Sequence, residues 1–173
     1  MTEQVILVDS SDRERGAMEK MQAHLEGLLH RAVSVFIFNS QGELLLQRRA
    51  MEKYHSPGLW ANTCCGHPRP GESCIDAASR RLKEEMGMSA TLREVSSLIY
   101  LAPVGGNAYE HEFDHIFTGS SNDTPQPTAG EVCEWKWIDP EDIGADMDAN
   151  PGQYAIWFQL IFKDTVSRFR AGR

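Results

Sequence analysis

No apolar run in the 173 residues approaches the roughly twenty needed to cross a bilayer. The opening MTEQVILVDSSDRE is too short in its apolar part and wrongly charged for a secretory signal, so the expected location is the cytoplasm. Cysteine is scarce. The four present, Cys64, Cys65, Cys74 and Cys133, include an adjacent pair, which argues against a secreted disulfide framework and offers no Cys-x-x-Cys redox spacing. Positive charge is also in deficit: 17 Lys and Arg against 25 Asp and Glu give a formal charge of -8, which disfavours a nucleic-acid surface. Solenoid repeats and low-complexity linkers are missing too. What remains is a 19.4 kDa chain with 41% hydrophobic residues. That is the size of one domain with a substantial core, so residues 1–173 are expected to form a single α/β domain.

The patterning predicts a strand at 5–8, then a charged turn through Arg15 and Gly16. Residues 18–29 read as a connecting segment, because Gly27 interrupts a possible helix and His24 and His30 are too far apart for one helical face. A hairpin follows, with strands at 33–38 and 43–47 around Asn39-Ser-Gln-Gly42. Strands are expected again at 92–101, 109–117 and 131–138, the first two joined by a flexible 103–107 and the last two by a surface loop. Alternation along 109–117 turns Glu110, Glu112 and Asp114 to one face and His111, Phe113 and His115 to the other. Asp139-Pro140 opens a short helix, and Asn150, Pro151 and Gln153 repeat that signal before a final helix striped by Tyr154, Trp157, Phe158 and Ile161. The tail after Arg168 is expected to fray. Hairpins alternating with helices indicate a mixed-sheet α/β fold.

The chemistry concentrates in residues 60–88, WANTCCGHPRPGESCIDAASRRLKEEMGM. Glycines and prolines make a turn, Ser73 caps a helix with Asp76 three residues on, and Ile75, Ala78, Leu82 and Met86 form its apolar stripe. Residues four apart share a face, so Arg81 stands over Glu85 and Arg80 over Glu84. Cys65 and His67 precede the turn. With His24, His30, Glu110 and Glu112 available elsewhere, His67 completes three imidazoles and two carboxylates, a plausible set for zinc, manganese or magnesium. Basic clusters at Arg48, Arg49 and Lys53 and at Arg80, Arg81 and Lys83 could oppose an anionic small molecule despite the overall charge. Each of these residues also has a plainer reading: a structural histidine, a buried thiol, an exposed salt bridge.

Gly66, Glu72, Arg80, Leu82, Glu84, Glu85, Gly87 and Met88 occupy the places of a Nudix box, with one departure. Arg81 stands where Nudix hydrolases carry the first glutamate of the core. Together with NTCCGHP, that change makes the chain resemble the type I isopentenyl-diphosphate isomerases. The resemblance implies an α/β/α sandwich over nearly the whole chain and a metal site of His24, His30, His67, Glu110 and Glu112. It also implies a magnesium shared by the substrate diphosphate, Glu85 and the carbonyl oxygen of Cys65. Lys20, Arg49, Lys53 and Arg81 match basic positions near the diphosphate. Glu112, helped by Tyr100, matches the proton donor, Cys65 the opposing base, and Trp157 the aromatic face beside a carbocation. Trp157 reads equally as core. Two other functions compete: a Nudix diphosphohydrolase, disfavoured by Arg81, and a non-enzymatic binding domain on the same fold. Oligomeric state is not readable.

Overall fold

Strand β3 (His30–Phe38) carries both faces of the protein. In this computed structural model, which describes residues 3–172, its side chains alternate between two cores. Phe36 and Phe38 enter one, while Val33, Val35 and Ile37 enter the other. Strand β4 (Leu44–Arg49) repeats the pattern, with Leu44 and Leu46 on the first side and Leu45 on the second. Period-two alternation with both sets apolar demands cover on both faces. Helices α3 (Pro140–Ala149) and α4 (Ile156–Ala171) cover the first and α2 (Cys74–Met86) the second. The result is the expected α/β/α sandwich.

One edge of β3 is shared in succession by β1 (Gln4–Val8), β6 (Cys64–Gly66) and β4, all antiparallel. The other is filled along its length by β8 (Ala108–Ser120), in parallel, which makes the sheet mixed. Strand β7 (Arg93–Gly105) pairs beyond β8, and β9 (Val132–Ile138) and β5 (Trp60–Ala61) pair with β4.

Several local expectations need correction. Arg15 and Gly16 lie in strand β2 (Glu14–Glu19), which pairs with β1; the turn comes earlier, where Asp9 accepts from Ser11 and Arg13. Residues 20–26 form helix α1 (Lys20–Glu26), and Gly27 is its left-handed cap at φ 62°, so the glycine that looked like an interruption is a terminator. Ile75 is 40% exposed, leaving Ala78, Leu82 and Met86 as the buried stripe of α2. Strand β7 continues through Pro103 to Gly105, shortening the connection to a tight turn. Asn150 leads only into a 3-10 turn, and α4 begins after Ala155 and stays helical to Ala171. The predicted caps of α2 and α3 hold: Ser73 accepts from Asp76 N, and Asp139 accepts from Glu141 N with Pro140 at the first position. Among the described residues no helix is long and apolar enough to cross a membrane.

Candidate active site and metal cage

Helix α1 ends between His24 and His30, and the Gly27 turn folds the start of β3 back against it. The two imidazoles therefore meet, with ring centroids 4.7 Å apart, although no single helix face could hold both. His67 enters just past β6, and Glu110 and Glu112 project from the same face of β8, where Glu112 is the cross-strand partner of His30. One ligand atom from each of these five buried residues lies within 4.8 Å of all the others. First-row ions sit about 2.0–2.2 Å from nitrogen and oxygen donors, so opposed ligands stand roughly 4–4.5 Å apart and the cage has the right size.

Hydrogen bonding prepares it. His24 Nδ1 donates to Lys20 O at 2.7 Å and His30 Nδ1 donates to Leu28 O at 2.8 Å. A carbonyl can only accept, so in the neutral rings both Nε2 lone pairs are left facing inward. His24 Nε2, His30 Nε2, His67 Nδ1 and Glu110 Oε2 have no hydrogen-bond partner. Burial, with the charges of Lys20 and His30, pushes His67 well below the usual histidine range, keeping it in the neutral form that binds metals. Buried lone pairs converging without donors are the signature of a cation site, and the donor set suits a divalent ion.

Beside the cage lies a cavity of about 280 Å³ lined by Lys20, Arg49, Lys53, Cys65, Arg81, Glu85, Tyr100 and Trp157 as well as by cage residues. Every expected site residue is thus in the cage or on this wall. The remaining basic residues are not: Arg48 pairs with Glu134, and Arg80 is held by Glu72, Glu84 and the carbonyl of His67. Arg49 is 8% exposed, and its Nε, like the cage atoms, has no partner. Arg81 donates from Nε to Cys65 O at 3.2 Å and from Nη2 to Glu85 Oε1 at 2.7 Å. Its guanidinium therefore joins the two oxygens expected at the magnesium. Gly66 permits this, since a Cβ there would come within 2.6 Å of Arg81 Cγ.

Cys64 and Cys65 face opposite sides of β6. Cys64 is fully buried in the core under α2, whereas Cys65 opens on the cavity. Burial pushes the Cys65 thiol above its ordinary range, and the charges of Glu85 and Asp114 add to this. Its Sγ donates to Asn62 Oδ1 at 3.3 Å, an oxygen that also accepts from Trp157 Nε1 at 3.2 Å. Across the cavity, Tyr100 donates to Glu112 Oε2. Burial alone would raise the Glu112 carboxyl, but His30, Glu110 and Tyr100 outweigh it and hold it below its usual range. Tyr100 is pushed well above its usual range by burial and by Glu112, so the phenol keeps its proton.

Cys65 pairs with Ser34 on one edge of β3, and Glu112 pairs with His30 on the other. Four residues of strand rise and two interstrand spacings put their Cα atoms about 16 Å apart. Both side chains rise from the same face of the sheet and line the one cavity, Cys65 toward one end of it and Glu112 toward the other.

A NUDIX domain model matches residues 28–159. The chain is 52% identical to an isopentenyl-diphosphate Delta-isomerase of Serratia proteamaculans, over 95% of this chain and 92% of that protein. The chain belongs to the isopentenyl-diphosphate Delta-isomerase family. A second relative of that name, from Burkholderia multivorans, is 51% identical over 94% of this chain and 93% of its own. The solved structure of DR0079 from Deinococcus radiodurans superposes with a TM-score of 0.73 over 88% of this chain and 92% of that one, at 24% identity, and shows the shared fold.

Within this isomerase-family site His55 and Glu131 had no signal in the sequence. His55 donates from Nε2 to Glu110 Oε1 at 2.8 Å, and Tyr54 stacks edge-on against it. Glu131 holds both Lys53 and Arg81. Asn62, inside NTCC, was legible only as part of the motif. Asp114, read from strand parity as facing the same way as Glu110 and Glu112, accepts from Ser34 Oγ at 2.8 Å behind Cys65.

Proposed function

We propose that this cavity converts isopentenyl diphosphate to dimethylallyl diphosphate, with the proton added at one end of the alkene and removed at C2 from the other side. The chain is an isomerase of isoprenoid precursor synthesis, and the whole of residues 1–173 works as one Nudix-like domain in the cytoplasm. The observation that carries the mechanism is the opposition of Cys65 and Glu112 across a single cavity flanked by β3.

Lys20, Arg49, Lys53 and Arg81 bind the diphosphate; the unpartnered Arg49 Nε is a buried donor waiting for an anion. Magnesium arriving with the diphosphate would share Glu85 and the Cys65 carbonyl with Arg81, offsetting phosphate charge. His24, His30, His67, Glu110 and Glu112 would hold manganese, magnesium or zinc, which supplies charge that orients Glu112. A simple alkene is a poor base, so the acid must be held against it in a site closed to water. One proton already lies between Tyr100 Oη and Glu112 Oε2, and this pair delivers it. Positive charge then develops on the tertiary carbon, beside Trp157, whose ring already carries the Arg49 guanidinium 5.0 Å from its centre. The step uses Cys65 as the thiolate: Sγ takes the C2 proton and ends as the thiol, the C–H electron pair becomes the new double bond, and proton exchange with water after product release restores both Cys65 and the Tyr100–Glu112 pair.

Incubation with isopentenyl diphosphate and magnesium in deuterated water tests the reading. Dimethylallyl diphosphate carrying solvent deuterium, without release of phosphate, is the expected result. Phosphate release without isomerisation would assign the protein to diphosphohydrolysis. A folded Cys65→Ser protein that keeps near-parent isomerisation would remove Cys65 from the mechanism.

A further inference from the structure

Glu110 faces two ways. Its Oε2 turns into the cage, 3.3 Å from His24 Nε2, while Oε1 turns outward and accepts from His55 Nε2 at 2.8 Å. His55 belongs to the loop between β4 and β5, residues 50–59, which also carries Lys53 to the cavity. That loop closes at its base through Arg49 N to Leu59 O and Gly58 N to Arg49 O. At its tip the His55 carbonyl accepts from Arg49 Nη2 at 3.1 Å, and the His55 ring sits edge-on to Trp157 at 5.7 Å. The next residue, Ser56, has a φ of 49°, a conformation non-glycine side chains rarely adopt, and it is held there while His55 stays 6% exposed.

We propose that His55 is a positioning residue that couples occupancy of the metal cage to closure of the 50–59 loop over the diphosphate pocket. The inference rests on the cage reading above. On the cage side Glu110 Oε2 has the His24 imidazole beside it at 3.3 Å, a contact longer than the His55 bond on the other oxygen. Glu110 bound to an ion through Oε2 would present Oε1 to His55 as a rigid acceptor, and the loop would then hold Lys53 and the Arg49 contact over the pocket. Coupling of this kind is reciprocal: a closed loop holds Glu110 ready for the ion. Residues that orient a metal ligand in this way commonly change affinity about 10–100-fold.

The test measures Mn2+ binding to metal-stripped protein by calorimetry and, in parallel, amide exchange across residues 51–58 with and without Mn2+. In the parent, Mn2+ binds and slows exchange in the loop. His55→Phe keeps the ring and loses the donor; it should bind Mn2+ at least about tenfold more weakly and show no slowing. His55→Gln, whose amide N–H can reach the same oxygen, should restore most of both. If His55→Phe does not fold, His55→Asn, too short to reach Glu110, makes the same comparison. Parent-like affinity and slowing in His55→Phe overturn the coupling alone, as does a Gln variant as weak as Phe, which would mean packing. A parent that binds no Mn2+ overturns the cage reading and this proposal together.

Discussion

Replacing Arg81 with glutamine tests how the site manages its buried carboxylates. The Arg81 side chain is 16% exposed and that of Glu85 5%. Burial opposes the charge on Arg81, but Glu85 and Glu131 hold it, raising its already high proton affinity. Removing the guanidinium leaves Glu85 with Gln47 Nε2 and Glu131 with Lys53. Breaking one side of a buried pair typically costs 3–5 kcal/mol, and these surviving partners put Arg81→Gln near the lower end, about 3 kcal/mol. At about 2–4 °C per kcal/mol for a chain of this size, Tm should fall by about 6–12 °C. Thermal melts in the presence of a chelator read this directly. Arg81→Gln with Glu85→Gln should recover most of the loss, since two amides can pair without a stranded charge. A single variant within about 2 °C of the parent, or a double variant no better than the single, would refute the argument. In the activity assay the single variant should raise KM for the diphosphate more than it lowers kcat.

Gly87 caps α2 at φ 67°, and a Cβ there would stand 2.5 Å from Gln126 O, so Gly87→Ala should cost more than about 1 kcal/mol, read as a lower urea midpoint; an unchanged midpoint would show that the segment yields freely. Tyr100→Phe removes the proton between Tyr100 and Glu112 and should lower kcat by about 10²-fold or more while Mn2+ affinity stays within a few-fold; an unchanged kcat would assign delivery to Glu112 alone. Burial would raise Glu131, but Lys53 and Arg81 outweigh it and hold the carboxyl below 4.5, so its contribution is present at neutral pH and is lost as pH falls through the lowered value. Glu131→Gln should therefore be less stable than the parent at neutral pH, with the difference closing below pH 4.5. A gap that persists undiminished into acid would mean the ion pairs are not its source.

The sequence carried the residues of the site further than it carried their setting. Parity along β8 announced that Glu110 and Glu112 share a face, which follows from the fixed period of a strand. Helix α1 escaped notice because at seven residues, Lys20–Glu26, it is too short for a periodic signal, and Gly27 reads the same whether it breaks a helix or ends one. His55 and Glu131 were illegible for a different reason. Their partners, Glu110 and the pair Lys53 and Arg81, are dozens of residues away, and no local pattern encodes a contact made only when a loop folds over the sheet.

The departure at Arg81 then takes on a structural meaning. A glutamate there would add a negative charge to Glu84, Glu85 and Glu131, all three of which now bond to the Arg81 guanidinium. Such a cluster would have to recruit cations to fold, which suits a fold that uses them to split a diphosphate. With arginine the charge is balanced by the chain itself, and on the proposed reading a diphosphate would meet a wall of cations that can grip it without activating water against it. The same reading leaves proton transfer to the other half of the cavity, where Cys65 and the Tyr100–Glu112 pair face each other across the width of β3 and its neighbours. Holding the anion at one end and moving protons at the other is, on this proposal, what would separate isomerisation from hydrolysis on a shared fold.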